Sequence, residues 1–338
     1  MMRLRLPALL ILLLLCTVAA ACGDDDDAGS AASVTTATQA GDAAFPVTIE
    51  HKYGTTELEK APERIVTVGY NEQDALWALG VAPVGVTDWM GFENGIGPWA
   101  EEAAAAAGPK PELLKDTDGI GFEKIAALRP DVIVALYTSL TKADYDKLVQ
   151  IAPVVAAPKG TPDWGIEWQD TVAILGEVTG KQDEAEKVTA DVEAAQAQAK
   201  ADHPEFAGKT ASMAMSLDGM WAYGKDDPRS KLLESLGFEL STELVAAVGD
   251  DFSAKISSEQ ADLFDLDTVV WLGGQKDLDA LTDSGVYAGL PVHEEKRDVF
   301  IAMERPDKAM NAIGFQTPLS IQESLDVLVP ALAKATAS

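Results

Sequence analysis

One short order of residues occurs twice in this chain, and it restricts the possible folds more than any other feature. Leu79-Gly80 in the first half answers Leu236-Gly237 in the second. Glu123 and Asp131, with the apolar run Val132 to Val134, answer Glu259 and Asp267, with Thr268 to Val270. The step from Glu to Asp is eight residues in both halves. Tyr145-x-x-Leu148 then answers Tyr287-x-x-Leu290. Three matches in one order predict two lobes built on a single plan.

The local pattern says what that plan is. Arg64–Val68 reads as a short apolar strand that Gly69 ends. Asn71 is placed to cap a helix carrying Ala75, Leu76, Trp77 and Leu79. Gly80 stops that helix, and Val84–Val86 reads as the next strand. Phe122–Leu128 then reads as a helix, Pro130 as a break and Val132–Leu136 as a buried strand. This strand–helix–strand rhythm predicts a parallel sheet flanked by helices. After Gly208 the rhythm returns, in SMAMSLDGMWAYG, DPRSKLLESLGFEL and SSEQADLFDLDTVVWLGG. Between the halves, Ala185, Val188, Val192, Ala195 and Ala199 recur at helical steps. Asp183 followed by Glu186 suggests a capping box at the start of that helix, and Pro204 ends it. A helix of about 20 residues spans about 30 Å, enough to cross from one lobe to the other. The expected fold is therefore α/β: two lobes, each with a central, mostly parallel sheet flanked by helices, joined by one long interlobe helix.

The N-terminus sets the compartment. Arg3 and Arg5 precede an apolar run from Leu6 to about Leu15, and small residues Ala19, Ala20 and Ala21 follow. That is the layout of a secretory signal peptide, and the run is short for a membrane span. Small residues directly before Cys22 match a lipobox, in which the thiol is acylated and becomes the new N-terminus. Several acyl chains hold a protein at a membrane where one does not. The Asp-, Ala- and Ser-rich stretch that follows cannot bury enough surface to order itself. The expected layout is a signal peptide over 1–21 and a lipidated tether over 22–44. A first lobe over 45–165, a helical region over 166–204 and a second lobe over 205–338 follow. About 290 residues remain after the tether, ample for two lobes. The chain has two cysteines, Cys16 and Cys22, and neither lies in the folded body, so no disulfide staples it. The net charge of −29 makes nucleic acid an unsuitable partner, since binding it calls for a basic surface.

A search for catalytic chemistry finds none. There is no G-x-S-x-G elbow and no H-E-x-x-H. Gly176-Glu-Val-Thr-Gly180-Lys181-Gln182 lacks the spacing and the hydroxyl of a phosphate loop. His51, His203 and His293 are scattered, whereas a bare transition metal needs clustered imidazole or thiolate ligands. Aromatic residues are more informative. Tyr70, Trp89, Tyr137, Trp221 and Tyr223 stand just past predicted strand ends, and Trp164 and Trp168 lie near the crossing into the helical region. Large rigid faces at strand ends suit a bulky ligand held between lobes. Arg229 and Arg305 are candidate partners for an anionic group on that ligand, or members of surface ion pairs.

These stretches together resemble the iron-siderophore substrate-binding proteins of ABC importers (the FecB/FepB type), the group with a helical backbone between its lobes. The resemblance covers about residues 46 to 335. It is carried by ERIVTVGYNEQDALWALGVAPVGVTDW, PWAEEAAAAAGPKPELL, TDGIGFEKIAALRPDVIVALY and TPLSIQESLDVLVPAL. It implies a class III substrate-binding protein: an extracytoplasmic monomer, not an enzyme, anchored at the outer face of the membrane through Cys22. The ligand would be a ferric siderophore held in the interlobe cleft, its iron already chelated, with no cofactor and no protein metal ligands. Cobalamin or haem in the same role stays open, and a secreted hydrolase is the reading from another class. The resemblance also implies that Glu123 and Glu259, one per lobe, dock onto arginines of a permease dimer driven by its ATPase. As plain residues, both are equally well explained as carboxylates at helix N-termini.

Overall fold

Alternation along the central strands shows how each lobe is built. The structure is a computed structural model that describes residues 44–115 and 119–337. The expected signal peptide, Cys22 and the expected tether, up to residue 43, lie outside the described residues. In the first lobe a hairpin of β1 (Val47–His51) and β2 (Gly54–Leu58) precedes a five-stranded sheet. Its strands are β3 (Ile65–Thr67), β4 (Gly85–Thr87), β5 (Glu112–Leu114), β6 (Val132–Ala135) and β7 (Val154–Ala156). They are parallel throughout, in the order β5-β4-β3-β6-β7. The connecting helices are α1 (Glu72–Ala78), α2 (Glu101–Ala107), α3 (Phe122–Ala127) and α4 (Lys142–Leu148). Along β6, Val132 and Val134 face a core with Leu76 of α1 and Leu175 of α5 (Trp168–Thr179). Ile133 and Ala135 face the other side, against Ile125 and Leu148. A strand buried on both faces carries no polar alternation, which is why it reads as a continuous apolar run.

The second lobe repeats part of this and changes part. Its strands are β8 (Thr210–Ser216), β9 (Met220–Tyr223), β10 (Glu239–Leu240), β11 (Ser253–Ile256), β12 (Thr268–Gly273) and β13 (Asp298–Ala302). The sheet runs β11-β9-β8-β12-β13, with β10 beside the start of β8. Its helices include α7 (Pro228–Ser235), α8 (Thr242–Val248), α9 (Gln275–Asp283), α10 (Pro291–Glu294), α11 (Ala309–Phe315) and α12 (Ser320–Thr336). β8, β10, β12 and β13 are parallel, but β9 turns straight back along β8, and β11 is antiparallel to β9. The stretch read as one strand is thus a hairpin, and the helix expected in DPRSKLLESLGFEL follows it as α7. The hairpin turn holds Asp218 and Gly219, both at positive φ.

The internal repeat is physical. Asp131 accepts the backbone N–H groups of Glu63 and Arg64 at 2.8 and 2.9 Å, pinning the start of β3 beside β6. Asp267 accepts the Thr210 N–H at 2.8 Å and so pins β8 beside β12. Gly80 and Gly237 end the corresponding helices at φ of 69° and 102°, where a side chain would be strained.

Between the lobes runs α6 (Gln182–Asp202), the long helix the periodicity predicts. Ala185 and Val188 pack into the first lobe's core, and Val192, Ala195 and Ala199 into the second's. One rigid rod thus shares its apolar stripe between two cores. The helix starts one residue before Asp183, and Lys181 at its cap position makes no side-chain cap, so the predicted capping box is absent. Asn71 makes no cap either. Its amide instead reaches across to the Phe315 carbonyl at 3.0 Å. Beside it, the Thr317 hydroxyl donates to Asp74 at 2.7 Å, and the Trp99 indole N–H donates to the same oxygen at 2.7 Å. The Asn71–Phe315 and Thr317–Asp74 bonds form a second, polar seam between the lobes, and Trp99 fixes Asp74 from the first lobe's side. No helix among the described residues is long and apolar enough to cross a membrane.

Candidate functional site

The loops after the first lobe's parallel strands and the strands β8, β9 and β11 of the second lobe open onto one cavity of about 480 Å³. Tyr70 follows β3, Asp88, Trp89 and Met90 follow β4, and Tyr137 follows β6. Trp164 comes from the loop after β7. Met215, Tyr223, Phe252 and Ser253 come from the second lobe's sheet and its β11 turn, Arg229 from α7, and Gly314 and Phe315 from the end of α11.

The walls are aromatic and partly bare. The Tyr70 and Trp164 rings stack at 5.1 Å, Trp164 meets Tyr137 edge-on at 5.5 Å, and Phe315 meets Trp89 at 4.7 Å. Trp89 is held from behind by its indole N–H donating to the Gly95 carbonyl at 2.9 Å. Among the described residues, seven large apolar side chains are markedly exposed, and three of them, Tyr70, Met90 and Phe252, line this cavity. Exposed apolar surface gathered in a concavity marks a place where something binds. Trp164 and Met90 also sit at φ of 62° and 54°. Bulky side chains rarely adopt that region, and such strain gathers at functional sites.

Charge is scarce in the lining. Arg229 donates to both carboxylate oxygens of Asp227, at 2.7 Å each. Its guanidinium lies 3.7 Å from the Tyr223 ring centre and 5.1 Å from that of Phe252. Burial works against its charge, but Asp227 keeps it firmly protonated, above its usual range. Burial also lifts the Tyr137 phenol to about 12, so it stays a neutral hydrogen-bonding group. Below the cavity floor, Glu72 accepts the Leu136 N–H at 2.9 Å, and burial raises its carboxyl to about 7. Gly69 makes room for it: a Cβ there would lie 2.1 Å from a Glu72 oxygen.

The structure brings together Tyr70, Trp89, Tyr137, Trp164, Tyr223 and Arg229 of the sequence-derived candidates. It does not bring in Trp168, Trp221 or Arg305. Trp168 opens α5 and packs against the cores of both lobes. Trp221 sits on β9 near the hairpin turn, its indole N–H donating to the Leu217 carbonyl at 3.0 Å. Arg305 is taken up by Asp307. Strand-end reasoning misses Asp88, Met90, Met215, Phe252, Ser253, Gly314 and Phe315. Phe252, directly before a strand start, is the one such a scan could have found. Glu123 and Glu259 are exposed in the first turns of α3 and of the 3-10 segment Ser258–Phe264, each leading into the strand the repeat pairs it with. The Glu259 carboxyl is held below its usual value by its own backbone N–H and by Ser257.

A second cavity of about 450 Å³ lies beside α2, lined by Trp77, Phe92, Pro98, Pro109 and Lys110 among others. Of the markedly exposed apolar side chains, none lines it. Among the described residues, no group of three His, Cys, Asp or Glu side chains is placed to hold a metal ion.

Comparison with known proteins gives a consistent result. The profile of the family described as periplasmic binding protein matches residues 65–301. A crystal structure of a periplasmic solute binding protein from Mycobacterium smegmatis is 32% identical, with a TM-score of 0.75, covering 86% of this chain and 98% of that one. The structure of Streptococcus pneumoniae PiaA in complex with ferrichrome is 30% identical, with a TM-score of 0.75, covering 86% of this chain and 99% of that one. The Fe(3+) dicitrate-binding periplasmic protein FecB of Escherichia coli is 34% identical over 148 residues, which is 42% of this chain and 45% of FecB.

Proposed function

This chain belongs to the periplasmic binding protein family, and we propose that it captures a ferric siderophore in its interlobe cavity and delivers it to an ABC importer. The observation that carries the reading is the aromatic cavity at the strand ends of both lobes, with bare Tyr70, Met90 and Phe252 in its walls. A cavity of this size suits a compact chelate. The iron arrives as cargo, already wrapped in the oxygens of its chelator, so the protein has to recognise only the outer surface of the complex. Flat rings can pack on that surface, and the Tyr137 and Tyr223 phenols can offer hydrogen bonds. The related proteins named for ferrichrome and ferric dicitrate support this ligand class over cobalamin or haem.

Delivery follows from the same frame. With α6 shared between two cores and a hydrogen-bonded seam at the back, lobe closure is small. Glu123 and Glu259 present one exposed carboxylate per lobe toward cationic side chains of a permease pair. Cys22, after a signal peptide, anchors the protein at the outer face of the membrane. Titrating the tryptophan fluorescence with ferric siderophores, cobalamin and haem tests the ligand. Saturable quenching by a ferric siderophore is expected, and quenching by cobalamin or haem alone overturns the reading. In the same protein, Glu123→Lys with Glu259→Lys is expected to abolish uptake while the siderophore still quenches. Loss of quenching would place these residues in the fold or the cavity instead.

A further inference from the structure

We infer that the interlobe cavity selects ferric chelates with no net negative charge, and that Asp88 receives a cationic arm of the chelate. The inference rests on the siderophore reading and narrows it. Two charged side chains line the cavity, Arg229 and Asp88. They are not equivalent. The guanidinium of Arg229 is cancelled by the bidentate bond to Asp227, which is itself buried, and is covered by the Tyr223 and Phe252 rings. Asp88 has no such partner. Its backbone N–H is bonded to the Leu114 carbonyl, but its carboxylate oxygen Oδ1 is buried with nothing to accept from. The lining therefore presents one carboxylate without a partner, half-buried among aromatic rings, for a ligand to answer.

Space for that answer exists. Asp88, Tyr70 and Trp164 also border an adjoining cavity of about 350 Å³. It is lined by the hydroxyl-bearing Thr87, Thr138, Ser139 and Thr141, with Asp144 at its edge. Asp144 already accepts from Thr141 and Lys147, which leaves Asp88 as the open carboxylate. Hydroxyls and a carboxylate suit an ammonium group, and the stacked Tyr70 and Trp164 rings offer it their faces. The aromatic cavity would hold the iron-bearing part, and the annex the arm.

The charge of the chelate follows from its chemistry. Three hydroxamates, each losing one proton, neutralise ferric iron, and a free amine on the chelator then leaves the complex cationic. Three catecholates, each losing two protons, leave it triply negative. Such a polyanion would meet Asp88, a cancelled arginine and a protein of net charge −29, all opposing entry.

The test is a fluorescence titration of the whole protein with three complexes: ferrioxamine B, whose free amine makes it cationic, neutral ferrichrome, and ferric enterobactin. Ferrioxamine B is expected to bind tightest and ferric enterobactin about a hundredfold or more weaker than ferrichrome. The isosteric Asp88→Asn variant is expected to reduce the preference for ferrioxamine B over ferrichrome about tenfold. Ferric enterobactin binding as tightly as ferrichrome overturns the inference, and so does a preference that Asp88→Asn leaves unchanged. If none of the three quenches while cobalamin or haem does, the siderophore reading itself fails. The two failures are thus told apart.

Discussion

The two lobes share a frame and differ in what the frame carries. In both, an aspartate before a central strand clamps the start of its neighbour, and a glycine at positive φ ends the matching helix. The first lobe keeps a fully parallel sheet, and its contribution to the cavity comes from loops after β3, β4, β6 and β7. The second lobe inserts the antiparallel strands β9 and β11, which carry Tyr223 and lie next to Phe252, the two rings that cover Arg229. The repeat sets where a ligand can sit, and the insertion sets what it meets on one side. The cavity thus has one wall with a satisfied ion pair and one with an open carboxylate.

The largest expected effect breaks that asymmetry. Asp227 both caps α7 through the Arg229 N–H and neutralises the Arg229 side chain. Asp227→Ala leaves a largely buried guanidinium without its partner and is expected to destabilise the fold by about 3–5 kcal/mol in urea denaturation. Asp88→Asn on the facing wall removes no existing bond and is expected to change stability by less than about 0.5 kcal/mol. Equal costs at the two positions would mean that Arg229 does not depend on Asp227.

A smaller effect sharpens the comparison through pH. In the first lobe, burial raises the Glu72 carboxyl to about 7 and that of Asp74 to about 6. Both exceed their values in an unfolded chain, so between those limits the folded protein holds more protons. Their stabilising contribution is complete below about pH 4 and is lost as pH rises through about 6 and about 7. The loss is on the order of 3 kcal/mol per group. Thermal unfolding is expected at a lower temperature at pH 8 than at pH 5, with Asp74→Asn flattening the slope. An unchanged slope would show that the interlobe seam at Asp74 and Thr317 does not set this dependence.

The frame was legible in the sequence because it depends on local periodicity and on small residues at fixed steps. Gly80, Gly237, Asp131, Asp267 and the stripe from Ala185 to Ala199 each carry their structural reason within a few residues. The cavity was legible only in part. Tyr70, Trp89 and Tyr137 follow strand ends, so a strand scan finds them. Phe315 and Thr317 meet the first lobe across more than 240 residues of chain, as the bonds Asn71–Phe315 and Asp74–Thr317 show, and no local pattern announces such a meeting. Arg229 and Arg305 look alike in sequence, and only their surroundings separate a cavity residue from a surface pair. The hairpin after β8 has its signal in Asp218-Gly219, but SMAMSLDGMWAYG reads as a single strand-like stretch ahead of the helix in DPRSKLLESLGFEL. Asp88 was hidden because what distinguishes it is a missing partner, which is a property of the folded surroundings alone.

Iron itself reports most directly on where the ligand sits. Crystals grown with a ferric hydroxamate complex, measured at the iron absorption edge, would place the metal by its anomalous scattering. The account predicts one iron peak between Tyr137 and Tyr223, inside the ring formed with Trp89, Trp164 and Phe315. A peak in the cavity beside α2, lined by Pro98 and Pro109, would contradict it.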